Sequence, residues 1–327
     1  MVTIDILAIE DGLYSNIMTL HDAFFIANLW YTKLTESSSP LFETRILTLD
    51  GKPIKACGGF EVKPDRSLYE AKKSDYLIIN PFMPHQSPIP KGLDKLGNRL
   101  ASLMDKGTIV ATVCTGAFIL AETGLLDHRR ATTHWQFARM FKKQYPKVRL
   151  EPEHMLVQDG NIISTGAVTA VYSLILHIIH KVGSPGLASV ISKALLQDGS
   201  RKDQAPYSIF SPEKKHKDIQ VLKAQKFIEK EFASISNIDA IAGEVGVSPR
   251  HFIRRFKKAT GEPPLKYLQQ VRIEKAKEKL ENTKDTVDEI TWAVGYKDIS
   301  SFGRLFKQQT RLSPTAYRGK FSLPSLI

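Results

Sequence analysis

The last third of the chain carries one pattern written twice. IDAIAGEVGVSPRHFIRRFKKATGEPP runs from Ile238 to Pro264, and VDEITWAVGYKDISSFGRLFKQQTRLSP from Val287 to Pro314. In each copy a short amphipathic helix is predicted to end at a glycine (Gly246, Gly295). A tight turn follows, then a helix with Phe-x-x-x-Phe (Phe252 and Phe256; Phe302 and Phe306). Each copy closes on a threonine and a proline (Thr260 and Pro263; Thr310 and Pro314). Glycine suits a sharp turn between helices because it lacks a Cβ. Aromatics at i and i+4 share one side of a helix, so they commit that side to a core and leave the other free. The region is therefore expected to be all-α, with two helix-turn-helix units in tandem.

The free side is basic. Between Ser248 and Thr260 stand Arg250, His251, Arg254, Arg255, Lys257 and Lys258, without an acid. Between Ile299 and Lys320 stand Arg304, Lys307, Arg311, Arg318 and Lys320, again without an acid. A cationic second helix in a helix-turn-helix unit is what docking into a DNA major groove requires. A solvated charged face on an ordinary helical domain is the alternative, and repetition in register weighs against it. The charge distribution agrees. The chain carries +12 overall, and residues 211–327, with 23 Lys+Arg against 14 Asp+Glu, hold +9 of it, leaving +3 to the first 210 residues. Polyanion affinity is expected in the C-terminal third.

The rest of the chain reads differently. With 327 residues there is room for two cores. Thr3–Ile9, Leu41–Leu49, Asp75–Asn80 and Thr108–Val113 are short apolar runs expected as strands, the last two of the kind buried inside parallel sheets. Helices are predicted over Ser15–Lys33 (Ile17, Leu20, Phe24 and Ala27 on one face), Lys91–Asp105, Gly116–Thr123, Trp135–Gln144 and Gly166–Lys181. A strand restarts at Arg130–Thr133, and Leu156–Ser164 reads as a hairpin about Asp159-Gly160. Alternating strands and helices imply an α/β fold, a parallel sheet sandwiched by helices, over residues 1–196. Gln197–Lys217, polar and rich in Pro, Gly and Ser, reads as a linker and hinge, and residues 218–321 as the all-α domain. There Asp218–Phe232 is predicted helical, and a long helix from Pro264 to Leu280 would separate the two recognition helices.

Two cysteines, Cys57 and Cys114, are too few for a disulfide framework and suit a reducing compartment. The opening MVTIDILAIEDG lacks the basic start and apolar core of a secretory signal, and no apolar run reaches membrane-spanning length. A cytoplasmic protein without a membrane partner is expected. The nine histidines are scattered, and neither Cys-x-x-Cys nor His-x-x-x-His occurs, so neither a metal nor another cofactor is expected.

IAGEVGVSPRHFIRRFKKATGEPPLKYLQQVRIEKAKEKL and EITWAVGYKDISSFGRLFKQQTRLSPTAYR resemble the AraC-type DNA-binding domain. VCTGAFILAETGLLDHRRATTHW, Val113 to Trp135, resembles the PfpI-like, glutamine-amidotransferase-like domain, flavodoxin-like in fold. The combination is similar to GlxA-type transcriptional regulators and covers nearly the whole chain. The resemblance implies base-reading positions at Arg250, Ile253 and Arg254 in the first unit and at Ile299, Ser300 and Arg304 in the second. Arg can bind guanine O6 and N7 together, and Ile can pack on a thymine methyl. Arg255, Lys257, Lys258, Lys307 and Arg311 are expected to meet phosphate. Partners follow: a double-stranded DNA operator, a small-molecule effector, a second copy of the chain as homodimer, and RNA polymerase if the protein activates.

Two readings of the first domain remain open at this stage. A strand, Cys114 and a following helix resemble a nucleophile elbow, where a helix N-terminus lowers a thiol pKa, and His134 falls where related domains place a histidine. Against a cysteine-dependent amidase or hydrolase, Ser15 or Asn16 stands where such enzymes carry an acid. Asn80-Pro81-Phe82-Met83 stands where they carry Gly-Gly, so proline removes an oxyanion donor. The favoured expectation is a non-catalytic sensing and dimerisation domain, with Asn80, Phe82, Cys114, Thr115, His134 and Trp135 about an effector pocket and Phe118 near its rim. A nonspecific architectural DNA binder is a third possibility.

Overall fold

The structure is a computed structural model that describes residues 1–84, 93–199, 201–212 and 214–322. The chain divides into two compact units, Met1–Ala205 and Pro206–Ile327.

The first unit is built on β1 (Val2–Leu7), α1 (Tyr14–Thr35), β2 (Phe42–Thr48), a small hairpin of β3 (Ile54–Lys55) and β4 (Glu61–Val62), β5 (Arg66–Ser67) and β6 (Tyr76–Ile79). There follow α2 (Leu93–Asp105), β7 (Ile109–Val113), α3 (Gly116–Glu122), β8 (Arg130–Ala131), α4 (Ala138–Gln144), β9 (Arg149–Leu150), β10 (Leu156–Asp159), β11 (Ile162–Thr165), α5 (Val171–Val182) and α6 (Pro185–Ala194). Seven strands form one sheet in the order β10-β11-β7-β6-β1-β2-β5. Its ladders are parallel except β10–β11, which turns at Gly160 with φ +60°. The middle strands are apolar on both faces because both are covered. Leu77 and Ile79 face a core completed by α2, α3 and α4, while Tyr76 and Ile78 face one completed by α1, α5 and α6. Ile17, Leu20, Phe24 and Ala27 of α1 are all buried there.

Two helices begin later than the apolar pattern predicts. Trp135–Phe137 form a 3-10 turn capped by the His134 side chain before α4 starts. After Gly166 a second 3-10 turn, Val168–Ala170, precedes α5. Lys91 and Gly92, expected at the start of α2, lie outside the described residues, as do Ser200 and Glu213 of the expected linker.

The second unit is helical: α7 (Ile219–Glu231), α8 (Ile238–Glu244), α9 (Pro249–Thr260), α10 (Pro264–Asn282), α11 (Val287–Ala293), α12 (Ile299–Thr310) and α13 (Pro314–Phe321). Two small cores lie along α10. One gathers Phe252 and Phe256 with α7, α8 and the first half of α10; the other gathers Phe302 and Phe306 with α11, α13 and the second half.

The expected linker is anchored on both sides of the unit boundary. Gln204 is buried in the first unit. In the second, Ser208 accepts a hydrogen bond from Lys277, and Phe210 packs edge-on against Tyr267. A segment that is polar in composition thus spends its few apolar and amide groups on specific contacts. No helix among the described residues is long and apolar enough to cross a membrane.

Candidate DNA interface and effector site

The two helix-turn-helix units repeat at the level of single atoms. Phe256 meets Tyr267 edge-on at 5.3 Å between ring centroids, and Phe306 meets Tyr317 at 5.4 Å. The two tyrosine hydroxyls donate to Glu229 and Glu281, each at 2.6 Å. Thr260 Oγ1 donates to Phe256 O and accepts from Glu262 N, ending α9; Thr310 does the same with Phe306 and Leu312, ending α12. A hydroxyl that satisfies the last turn in this way explains why the sequence places threonine there twice.

Both first helices are capped, α8 by Asn237 and α11 by a capping box of Thr286 and Glu289. Both turns use a left-handed glycine, Gly246 at φ +69° and Gly295 at φ +86°. The second turn is one residue longer, running from Gly295 to Asp298 against Gly246 to Ser248. Its extra length brings Tyr296 against Phe302 and beneath the Arg272 guanidinium at 5.1 Å, and Arg272 donates to Phe232 O and Ile235 O.

With the phenylalanines aligned, Arg250 corresponds to Ser300 and Arg254 to Arg304, all exposed. The two isoleucines do not correspond: Ile253 matches Gly303, and Ile299 matches Pro249. Both are nonetheless exposed, at 43% and 38%. An exposed aliphatic on the polar face of a helix has no intramolecular apolar surface to cover it. Arg304 is held by Ser301 Oγ at 3.0 Å, and Asp298 caps α12 through Ser301 N at 2.7 Å. Those Ser301 hydrogen bonds, side-chain first, hold the Asp298 carboxyl below its ordinary range. Lys257, Lys258, Lys307 and Arg311 project to solvent.

Arg255 departs from the expected phosphate role. It pairs with Asp218 at 2.6 Å and donates to Gln220, so its charge fastens α9 to the start of α7. Asp218 also caps α7 through Val221 N. Beside this pair lies a cleft of about 690 Å³ lined by Lys217, Arg254 and Lys258 together with His216 and His251. His216 and Lys217 were hidden in the sequence because they stand in the linker, outside any periodic helix.

In the first unit the elbow forms as expected. Cys114 joins β7 to α3 with φ +55°, a left-handed conformation that costs a non-glycine residue about 1–2 kcal/mol. Its N–H donates to Thr165 O at 2.9 Å, and its carbonyl accepts from Thr133 Oγ1 at 2.8 Å. The thiol, however, is 3% exposed. Burial pushes its pKa up to about 12, against the lowering effect of Thr115, which runs opposite to the lowered pKa that the nucleophile reading requires.

Several of the groups expected about it are hydrogen-bonded to neighbouring loops. Gly12 bridges Phe82, Leu13 N donates to Pro81 O, and Asn80 Nδ2 donates to Leu13 O, zipping two loops together above the sheet. Thr115 Oγ1 donates to Phe82 O and accepts from Phe82 N, so the start of α3 is filled by Phe82. Phe82 and Phe118 are core residues; Phe118 packs edge-on against Phe141 at 4.9 Å. The expectation that they form a rim is corrected accordingly. Asn16 is one of the two residues, with Ser15, that stand where related enzymes are expected to carry an acid. It is 2% exposed, donates to Val168 O, and keeps Oδ1 buried without a partner.

His134 and Trp135 sit together half-buried, rings 5.3 Å apart. His134 Nδ1 accepts from Gln136 N, which leaves any imidazole proton on Nε2, and burial pushes its pKa down. The residue that sequence reasoning missed is Gln204. It accepts from Trp135 N and reaches Thr132, Thr133 and His154. Among the described residues no cluster of His, Cys, Asp and Glu is arranged to hold a metal.

Residues 38–181 match the DJ-1/PfpI family, and residues 241–320 match a helix-turn-helix domain family. The chain is similar to the HTH-type transcriptional regulator CdhR of Pseudomonas aeruginosa, 28% identical over 293 residues, covering 86% of this chain and 83% of that one. It is similar to GbdR of the same species, 24% identical over 281 residues with coverage of 85% and 75%. It is also similar to GlxA of Rhizobium meliloti, 29% identical over 223 residues with coverage of 67% and 68%. In fold it resembles an AraC family transcriptional regulator from Pseudomonas putida (TM-score 0.50, 21% identity, 60% of this chain and 100% of that one). A putative transcriptional regulator from Vibrio parahaemolyticus is alike in fold (TM-score 0.51, 23% identity, 59% and 98%). The chain belongs to the AraC-type helix-turn-helix transcriptional regulators whose first domain is of the DJ-1/PfpI family.

Proposed function

We propose that the chain regulates transcription as a homodimer whose first unit senses a small molecule and whose second unit reads operator DNA with α9 and α12. The observation that carries the DNA reading is the repeated unit itself, with Arg254 and Arg304 at matching exposed positions. Arg250, Ile253, Arg254, Ile299, Ser300 and Arg304 are the proposed base readers; Lys257, Lys258, Lys307 and Arg311 are the proposed phosphate contacts. Arg255 is assigned instead to holding α9 on α7. A second copy is suggested by the outer side of α1, where Phe25 and Leu29 stand 57% and 54% exposed beside a groove of about 470 Å³. A sensor, rather than an amidase, is supported by the buried Cys114, whose thiol pKa is raised, by Pro81 in place of a backbone donor, and by Ser15 or Asn16 where an acid is expected.

Binding of the full-length protein to an operator selected from random DNA tests the first part. Arg254→Ala is expected to lose about 1–3 kcal/mol and relax preference at one base pair. Lys257→Ala is expected to weaken all sequences alike and to reduce the salt dependence by about one ion. Uniform weakening by both variants would assign the protein to architectural binding. Thermal stability against a panel of amino acids, amines and short carboxylates tests the second part. A ligand that is bound and not consumed supports a sensor, and turnover abolished by Cys114→Ala would replace it with an enzyme.

A further inference from the structure

Immediately before the second unit begins, the chain crosses the first unit as a short strap. Met155 N donates to Lys202 O at 2.8 Å, and Gln204 N to Glu153 O at 2.7 Å. Asp203 Oδ1 lies 3.1 Å from His154 Nδ1. From this strap the Gln204 side chain turns inward and is 1% exposed. Its Nε2 faces Thr133 O at 2.8 Å, His154 O at 3.1 Å and Thr132 Oγ1 at 3.2 Å. Its Oε1 accepts from Trp135 N at 3.1 Å. Thr132 has already committed its hydroxyl proton to His154 O, so it meets the amide as an acceptor. The floor is Gly166, where a Cβ would fall 2.3 Å from Nε2. The surroundings thus offer three oxygens to one nitrogen, one donor to one oxygen, and a glycine that makes room. They specify a primary carboxamide.

We infer that this is a ligand slot for a primary carboxamide, that Gln204 is its tethered occupant, and that an effector carrying such a group displaces Gln204 and frees the strap. The inference rests on the sensor reading and names its ligand class and route. Thr133 also holds the Cys114 carbonyl, so the slot and the elbow share a residue. Ala205, Pro206 and Tyr207 are all that separate Gln204 from Ser208, which is anchored in the second unit. Occupancy of the slot therefore sets how tightly the connection is tied down. A tethered side chain competes at an effective concentration of about millimolar or more, so a free ligand binds the wild type more weakly than it binds the empty slot.

The test uses full-length protein and propionamide, the free copy of the glutamine side chain. Thermal shift is expected to give a dissociation constant at least tenfold lower for Gln204→Gly than for wild type, with N,N-dimethylpropionamide inert. Hydrogen exchange in wild type at saturating propionamide is expected to rise at 202–205. Equal constants for the two proteins, no response of Gln204→Gly, or binding of the dimethyl compound would overturn the inference. If Gln204→Gly does not fold, Gln204→Met keeps the chain length without the amide. Unchanged protection of the strap and of Trp135 N–H in that variant would likewise overturn it. A panel metabolite that stabilises wild type while propionamide leaves Gln204→Gly unmoved would remove the slot and keep the sensor. The reverse pattern would keep the slot and remove the sensor.

Discussion

The two turn glycines make a matched pair whose substitution separates backbone strain from packing. Both have positive φ, +69° at Gly246 and +86° at Gly295, so alanine at either pays about 1 kcal/mol in backbone conformation. A Cβ on Gly246 would meet nothing within 4 Å. A Cβ on Gly295 would lie 2.5 Å from Ala233 O and 2.9 Å from Ala233 Cα, against main chain that has no rotamer to escape into. Overpacking of that kind adds about 1–3 kcal/mol. Gly246→Ala is therefore expected to cost about 1 kcal/mol and Gly295→Ala about 2–4 kcal/mol. For a domain of this size each kcal/mol lowers the midpoint by about 4 °C, so shifts of about 4 °C and 8–16 °C are expected. Calorimetry of the full-length protein measures both, with the second unit's transition identified as the one that operator DNA raises. Equal shifts, or a larger one for Gly246→Ala, would refute the packing of the second turn on Ala233.

Three further outcomes are expected. Asp218→Ala removes a cap and an ion pair and should cost the second unit about 1–2 kcal/mol near neutral pH. Burial opposes ionisation of Asp218, but the Arg255 and Val221 hydrogen bonds hold its carboxyl below the ordinary range. A depressed acid stabilises the fold above its unfolded pKa, about 4, so the ion-pair part of the difference should fade as pH falls below that value; a difference that grew in acid would contradict the pairing. With iodoacetamide at pH 7.5, exposed Cys57 should be modified first and Cys114, with its thiol near pKa 12, should resist; mass mapping that finds Cys114 reacting as fast as Cys57 would return the elbow to nucleophilic chemistry. Thr286→Ala should lower the stability of the second unit by about 1 kcal/mol in urea titrations, since it removes the hydroxyl that accepts from Glu289 N and donates to the Glu289 carboxylate, and leaves only the backbone N–H of residue 286 bonded to Glu289.

What the sequence disclosed was whatever repeats or alternates. The phenylalanine pairs, the closing threonines and the apolar strands each declare a buried face through a period, and the structure uses them so. Cys114 was legible as an elbow because a strand ends and a helix begins beside it. Its ionisation was not, because that depends on its burial in the core that α1 and α5 complete, and no local pattern encodes a contact between such distant segments. Gln204 was invisible for the same reason. One buried amide in a polar coil has no period, and its partners at Thr132, Thr133 and His154 lie far back in the chain. Arg255 looked like its basic neighbours until Asp218, at the start of another helix, supplied the partner.

The joint between the two helix-turn-helix units has a consequence for the DNA. α10 spans 19 residues, about 28 Å at 1.5 Å per residue, and Arg272, Tyr296 and Gly295 pin its neighbours in place across the middle. A caliper of that kind has one opening. One base pair inserted between the two recognised elements rotates one against the other by about 35° and displaces it by about 3.4 Å, and the protein can follow only by breaking the joint or bending the duplex. Operators should therefore be strict in the length of the unread bases between their elements even where they are lax in the identity of those bases.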